Sequence, residues 1–359
     1  MKAWQLEKPG GALTLTDLDI PKASPGSVVI RMETSSLMSY MQDYVDGKLP
    51  IYNMPDGAFI PGGNGTGVIH AVGSHVWHLK PGQRVVISSH FVAQENVRNP
   101  AQILLGVTAN GTVGAAIQAE WRDGTLAEYA ILPASNVTPV EDIANVDSSV
   151  LAIATRYVVP YGGLLKGRLA AGEKVVVSGA TGAYGTAAVL VALAMGAGQV
   201  IALGRNEKTL AEVAEAGGKR VMPLVVTGDA AKDAEAIRNL SNGGAHMAFD
   251  MVGGAKDPNM TLAALRSLIH GGRLVLMGSM AVPLPIPYTE VMLNGWEILG
   301  NFMYPRDAFR RVLDFMRGGQ LNTMAIKPIV FPLSALHDAM PAAGKANGLQ
   351  CVVINHEES

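Results

Sequence analysis

Ser178-Gly179-Ala180-Thr181-Gly182-Ala183-Tyr184-Gly185 sets three glycines at the spacing G-x-x-G-x-x-G, directly after the β-branched run at 174–177 and directly before the small apolar run at 186–195. Glycines so placed let the chain turn tightly, let backbone N–H groups approach an anion without a Cβ in the way, and let a helix pack close on the preceding strand. Strand, glycine turn and helix mouth in that order make a cradle for a pyrophosphate. Gly179, Thr181, Gly182, Ala183, Tyr184 and Gly185 are therefore candidate contacts to a dinucleotide.

About twenty residues after such a loop, folds of this kind that prefer NAD carry an Asp or Glu for the ribose 2′-hydroxyl. Here the end of the second strand reads Gly204-Arg205-Asn206-Glu207-Lys208. A carboxylate at that place would repel a 2′-phosphate, whereas the Arg205 guanidinium can form charge-assisted bonds to one and Lys208 adds positive field. The expected cofactor is NADP(H), with Gly204, Arg205, Asn206 and Lys208 at its adenosine end.

Such a loop works only on a sheet, and the text around it supplies one. From residue 174 strand and helix patterns alternate: strands at 174–177, 200–203, 221–225, 247–250 and 273–277, helices at 186–195, 207–216, 230–240 and 259–269, and a last strand at 296–302. Continuous apolar strands in that rhythm argue for a parallel sheet covered on both faces. Residues 175–204 carry no charge, which on length alone would suit a membrane span, but Gly179, Gly182, Gly185, Gly196 and Gly198 cut them into strand, turn, helix and turn. A buried βαβ unit is the reading, and no membrane partner is expected. Residues 1–150 are different: short β-branched runs at 27–33, 67–72, 83–88 and 126–132, separated by Gly and Pro, describe a β-rich, barrel-like domain. A helical stretch at 152–170 leads out of it, and an amphipathic helix at 306–317 with a strand at 350–354 is expected to return to it.

Composition agrees. A chain of 359 residues with 48% apolar and 16% charged residues and 41 glycines suits two α/β-type domains and argues against disorder. A net charge of −2 without a basic run gives no footprint for nucleic acid. The single cysteine, Cys351, excludes an internal disulfide framework and suits a reducing compartment; with no signal-like apolar core at the N-terminus, a cytoplasmic protein is expected.

The chain resembles the medium-chain dehydrogenase/reductase superfamily over essentially its whole length. The resemblance rests on segments in that family's order: Pro61-Gly62-Gly63-Asn64-Gly65-Thr66-Gly67, Leu79-Lys80-Pro81-Gly82, Gly124-Thr125-Leu126-Ala127-Glu128-Tyr129, Gly172 to Gly179, Asp250-Met251-Val252-Gly253-Gly254, and Gly271 to Gly278. It implies an α/β fold in which a Rossmann doubly wound parallel sheet is inserted in a GroES-like β-barrel catalytic domain. The implied boundaries are 1–153 for the catalytic domain, 154–303 for the cofactor domain and 304–359 for the return. It further implies a cleft between domains for the nicotinamide, with Val252, Gly278 and Asn301 at that end, and a homodimer.

The departures carry as much information. Zinc-dependent members need thiolates, imidazole and carboxylate at the metal and four cysteines in a structural lobe. Here the first ligand position reads Met38, the family's Pro-Gly-His-Glu run reads Pro61-Gly62-Gly63-Asn64, and the third ligand position falls near Thr155. No metal site is expected. His75 and His78 fall in a polar turn with no third ligand in view. Residues 89–122, in place of the zinc lobe, could form a lid, a dimer contact or an Ω-like loop.

A metal-free site must meet the charge left by hydride transfer with hydrogen-bond donors. Tyr40, two residues after Met38, stands where zinc-dependent relatives place a hydroxyl that relays the alcohol proton; it is the nominated acid. Tyr44 and Tyr52 are its neighbours, and Asn64, at the position of the family's glutamate, is expected to orient substrate or a water. Quinones and α,β-unsaturated carbonyls are electrophilic without a Lewis acid, so the resemblance to zinc-free members makes NADPH-dependent reduction of an apolar quinone or enone the first reading. NADP-dependent alcohol/ketone (aldehyde) interconversion is the alternative, and a non-catalytic NADP(H)-binding sensor the second.

Overall fold

The computed structural model describes residues 1–143 and 145–357. The chain forms two compact units, Met1–Thr155 with Pro328–Ala346 and Cys351–Ser359, and Arg156–Lys327 with Asn347–Gln350.

The first unit begins with the antiparallel pair β1 (Lys2–Leu6) and β2 (Leu13–Asp17), followed by β3 (Ser27–Ser36) and the short helix α1 (Met41–Val45). Then come β4 (Gly65–Val72), β5 (Arg84–Ile87), β6 (His90–Val92), β7 (Gln102–Leu104), β8 (Thr108–Ala109), helix α2 (Gly111–Glu120), β9 (Tyr129–Pro133), β10 (Val137–Pro139) and helix α3 (Ser148–Ala152). β3 is the hub. It pairs antiparallel with β4 and β9, and Val28, Ile30 and Met32, at alternate positions, enter a core shared with Ile69, Val85, Ile87 and Leu132. Two glycines explain how closely β4 lies: a Cβ on Gly65 would stand 2.5 Å from the Thr34 carbonyl oxygen, and one on Gly67 2.4 Å from that of Arg31. The 89–122 segment is neither Ω-loop nor bare linker. β6, β7 and β8 form a three-stranded antiparallel sheet, and Ile103, Leu105 and Ala109 join the barrel core, so apolar burial holds this segment in place.

The chain enters the second unit within helix α4 (Ala154–Lys166). There follow β11 (Lys174–Ser178), α5 (Ala183–Ala194), β12 (Gln199–Gly204), α6 (Glu207–Gly217), β13 (Val221–Val225), α7 (Ala230–Leu240), β14 (Ala245–Asp250), α8 (Asn259–Arg266), β15 (Leu268–Leu276), α9 (Tyr288–Asn294), β16 (Glu297–Gly300) and α10 (Ala308–Arg317). The six strands are parallel in the order β13-β12-β11-β14-β15-β16, a doubly wound sheet. Side chains on alternate positions serve opposite faces. Val176, Ile201, Ala248 and Leu274 meet Ile237 of α7 and Ala263 of α8, whereas Phe249 and Val275 face α4. There Gly163 and Gly167 admit them so tightly that an added Cβ would lie 2.5 Å from the Phe249 ring and 2.8 Å from a Val275 methyl. Burial on both faces is why these strands read as unbroken apolar runs.

Residues 304–327 depart from expectation: they belong to the second unit. The Phe309 ring packs on Tyr304 at 5.7 Å and that of Phe315 on Tyr161 at 6.0 Å, which holds α10 against α4. The return to the first unit is made later, by β17 (Lys327–Pro332), α11 (Leu336–Lys345) and β18 (Gln350–Asn355), the last antiparallel to β3. Among the described residues no helix is long and apolar enough to cross a membrane.

Candidate active site

In the second unit β11 runs into the glycine loop and α5. Gly179 takes φ +72°, a left-handed conformation that a side chain resists, and its successor Ala180 donates its N–H to the Leu203 carbonyl at 2.8 Å, tying the loop to β12. A Cβ on Gly185 would lie 2.0 Å from the Gly179 oxygen, so α5 starts as close to the strand as backbone allows. Gly182 is different. Its hypothetical Cβ meets only the Gly179 oxygen, at 3.4 Å, and it caps α5 without a side-chain acceptor. Buried Thr186 braces the turn by donating to the Ala180 carbonyl at 2.8 Å, and Gly348 donates its N–H to that of Thr181 at 3.0 Å. Gly348 was not legible as part of this loop, because 163 residues separate it from Gly185 along the chain.

Gly204 sits against the loop, a Cβ there being 2.7 Å from the Thr181 methyl, so β12 delivers its terminus beside the cradle. Arg205 and Lys208 follow, both exposed. Asn206 Oδ1 accepts the Thr209 N–H at 3.0 Å and caps α6.

The strand order reverses between β12 and β14 on either side of β11, and open sheets of this kind bind ligands at that point. Beside it Val252 and Gly278 touch; a Cβ on Gly278 would lie 2.3 Å from the Val252 oxygen. Asn301 donates through Nδ2 to the Met303 carbonyl at 2.8 Å, which commits its amide to the chain. Asp250, at the end of β14, was not nominated. It is buried, accepts from the Thr261 hydroxyl at 2.9 Å, and burial pushes its carboxyl up to about 6. The glycine cradle at the start of α5, beside the end of β12, fits a nicotinamide dinucleotide.

In the first unit the Pro61–Asn64 segment is held through its backbone carbonyls. Gly124 donates to the Ile60 carbonyl at 2.7 Å, Leu126 to that of Pro61 at 3.1 Å, and the buried Thr125 hydroxyl to that of Asn64 at 2.8 Å. Gly62, Gly106 and Gly124 meet here so closely that a Cβ on Gly106 or Gly124 would overlap the Gly62 oxygen. This fixed backbone presents the Asn64 carboxamide, half-buried, to Ser36 at the end of β3: the Ser36 hydroxyl lies 2.8 Å from Asn64 Oδ1 and 2.7 Å from the Thr155 hydroxyl, itself 2.8 Å from the Ala152 oxygen. Ser36 escaped the sequence reading.

Tyr40 precedes α1, half-buried, with its ring 5.8 Å from that of Tyr52, which in turn lies 5.8 Å from Tyr44. Tyr44 is a correction. It is fully buried, its hydroxyl donates to the Val107 carbonyl at 2.8 Å, and burial drives its ionisation far above the ordinary phenol range. It ties α1 to the 89–122 lobe rather than meeting a substrate. Tyr52 is followed by a second tie: Asn53 donates to Thr108 Oγ1 at 2.9 Å and Asn110 Oδ1 at 2.7 Å.

Zinc does not fit these residues. Met38 offers a thioether, Ser36 and Thr155 neutral hydroxyls and Asn64 an amide, and three of these four are already hydrogen-bonded to one another. A tetrahedral Zn²⁺ site needs thiolate, imidazole or carboxylate, and among the described residues no three His, Cys, Asp or Glu side chains converge. His75 and His78 are exposed, His75 against the Trp77 ring. Cys351 is buried.

Known families match both parts of the chain. Residues 24–142 match the alcohol dehydrogenase GroES-like domain and residues 183–318 the zinc-binding dehydrogenase family. An alcohol dehydrogenase of Moraxella sp. (strain TAE123) is 29% identical over 340 residues, covering 92% of this chain and 93% of that one. An L-threonine 3-dehydrogenase of Anaeromyxobacter dehalogenans (strain 2CP-C) is 26% identical, covering 82% and 80%. The crystal structure of an NAD-dependent alcohol dehydrogenase superposes with a TM-score of 0.81 at 24% identity, covering 99% of this chain and 100% of that one.

Proposed function

We propose that this chain, which belongs to the medium-chain dehydrogenase/reductase superfamily, is an NADPH-dependent reductase that delivers hydride to a quinone or an α,β-unsaturated carbonyl without zinc. The observation that carries this is the Ser36, Asn64 and Thr155 trio, joined by hydrogen bonds of 2.7 and 2.8 Å, with Thr155 near the third ligand position and Asn64 in place of the glutamate that the family resemblance implies. Three neutral groups bonded to one another can stabilise an oxygen by donation but cannot act as a Lewis acid, so acceptors already electrophilic suit them best.

Bound NADPH would supply the hydride. The chain's own residues would divide the rest: Gly179, Thr181, Gly182, Ala183, Tyr184 and Gly185 hold the pyrophosphate by backbone donors, Arg205 and Lys208 hold the 2′-phosphate, and Val252 and Gly278 keep backbone close at the sheet's carboxyl end. Tyr40 would give the proton that completes reduction, and solvent would restore it. The Tyr40 and Tyr52 rings, with Met38 and Met54 in the same apolar cluster, make an adaptable wall for an apolar substrate.

Alcohol/ketone interconversion is the second reading, favoured by the names of the relatives. A panel of quinones, enones, aldehydes, ketones and alcohols, followed by NADPH absorbance, separates them. Turnover of quinones or enones at least tenfold above ketones supports the reductase; preference for alcohols and ketones favours the second; cofactor binding without consumption of any acceptor leaves a sensor.

A further inference from the structure

Three hydrogen-bond distances link Asn64, Ser36, Thr155 and the Ala152 carbonyl, but the two hydroxyls own only two protons between them. With Ser36 donating to Asn64 Oδ1, its oxygen is left to accept from Thr155, and the Thr155 proton is shared between Ser36 and the Ala152 oxygen, 2.7 and 2.8 Å away. In that arrangement Asn64 Oδ1 is occupied and its Nδ2, with two N–H bonds, makes no hydrogen bond among the described residues. Ser36 and Thr155 are buried while Asn64 is half-buried, so the chain of hydroxyls runs inward and the free amide edge outward. Ser36 therefore selects which edge of the carboxamide faces the site. An amide is a poor proton donor in the acid–base sense but a fixed dipole, the kind of group that stabilises charge developing on an oxygen without itself reacting.

Resting on the reductase reading above, we propose that Asn64 Nδ2 donates to the substrate's carbonyl or quinone oxygen, and that Ser36 and Thr155 are positioning residues that hold the amide with its N–H edge outward. When hydride adds to the acceptor, its electron pair ends on that oxygen. The Asn64 N–H holds the negative charge until a proton arrives from another group, and Asn64 itself neither gains nor loses one. This assigns Asn64 a donor's role, sharper than orienting substrate or a water, and brings in Ser36, whose link to Thr155 spans 119 residues of sequence.

The test is steady-state NADPH oxidation with the best acceptor of the panel, across pH, for Asn64→Asp, Ser36→Ala, Thr155→Val and Thr155→Ser. Asp matches Asn in shape and can still accept from Ser36, but offers no donor while ionised. Its kcat should fall about hundredfold near neutral pH, with KM changed much less, and recover as pH drops and the new carboxyl protonates. Ser36→Ala and Thr155→Val should lower kcat by about tenfold, and Thr155→Ser should restore it. An Asn64→Asp enzyme with wild-type kcat and a flat pH profile would overturn the donor role. Equal rates for Thr155→Val and Thr155→Ser would overturn the positioning chain. If the wild type oxidises NADPH with none of the panel's acceptors, the reductase reading fails first and takes this one with it.

Discussion

The carbonyl oxygen of Gly179 stands 2.0 Å from where a Cβ on Gly185 would be, whereas a Cβ on Gly182 would clear the same oxygen by 3.4 Å. The fold requires Gly185, whereas the packing around Gly182 leaves room for a side chain, and the proposed cradle is what would need a glycine there. Gly185→Ala should destabilise the second unit, lowering its melting temperature by several degrees. Gly182 has φ −86° and ψ 167°, a backbone alanine adopts freely, so Gly182→Ala should melt like wild type yet bind NADPH at least tenfold more weakly. Thermal unfolding with and without NADPH checks both; equal behaviour of the two variants would contradict the cradle.

Arg205→Ala should weaken NADPH by ten- to a hundredfold and leave NADH nearly unchanged, because a charge-assisted bond to a phosphate contributes about 1.5–3 kcal/mol. Michaelis constants for the two cofactors report this. An equal loss for both would place the guanidinium elsewhere than at the 2′-phosphate.

Tyr40→Phe should cut kcat by about a hundredfold if the phenol is the acid. Tyr44→Phe should instead cost about 1 kcal/mol of stability, by stranding the Val107 carbonyl, with little change in kcat. Kinetics and urea unfolding of the two variants separate a proton donor from a structural tie.

Most of the second unit could be read in advance because its strands are buried on both faces: 174–177 and 221–225 were expected within a residue of where they lie. The 89–122 lobe was not, since β6, β7 and β8 have only two or three residues each and show no alternation. Ser36 is a small polar residue in Thr34-Ser35-Ser36, indistinguishable by type from its neighbours until β3 aims it at Asn64, 28 residues away. Tyr44 misled for a related reason. A phenol beside a candidate phenol has the same chemistry, and only burial decides between them. The 304–327 stretch was assigned to the wrong unit because amphipathicity gives α10 an apolar face but not the partner, Tyr161, on which it packs.

Two buried groups give the units opposite responses to pH. His356, in the first unit, is held down to about 4 by burial, against an ordinary value of 6.5. Below about 6.5 the unfolded chain takes up a proton that the folded one refuses, so stability is lost as pH falls from 6.5 to about 4. Asp250, in the second unit, is raised by burial from 3.8 to about 6, so its contribution is fully present below 3.8 and is lost as pH rises through about 6. Each effect is on the order of 3 kcal/mol at most. Hydrogen exchange, corrected for intrinsic rates, should show the first unit loosening between pH 6.5 and 4 while the second tightens. Asp250→Asn, which keeps an acceptor for Thr261, should stabilise the second unit at pH 8 by roughly 1–3 kcal/mol.

The central claim, hydride transfer to an activated acceptor with donors in place of zinc, is tested most directly by metal analysis of the purified protein beside its NADPH-dependent turnover, before and after chelation. Turnover of a quinone or enone that is unaffected by chelation, at zinc contents far below one per chain, is the result predicted. Stoichiometric zinc whose removal abolishes turnover and whose return restores it would contradict the account.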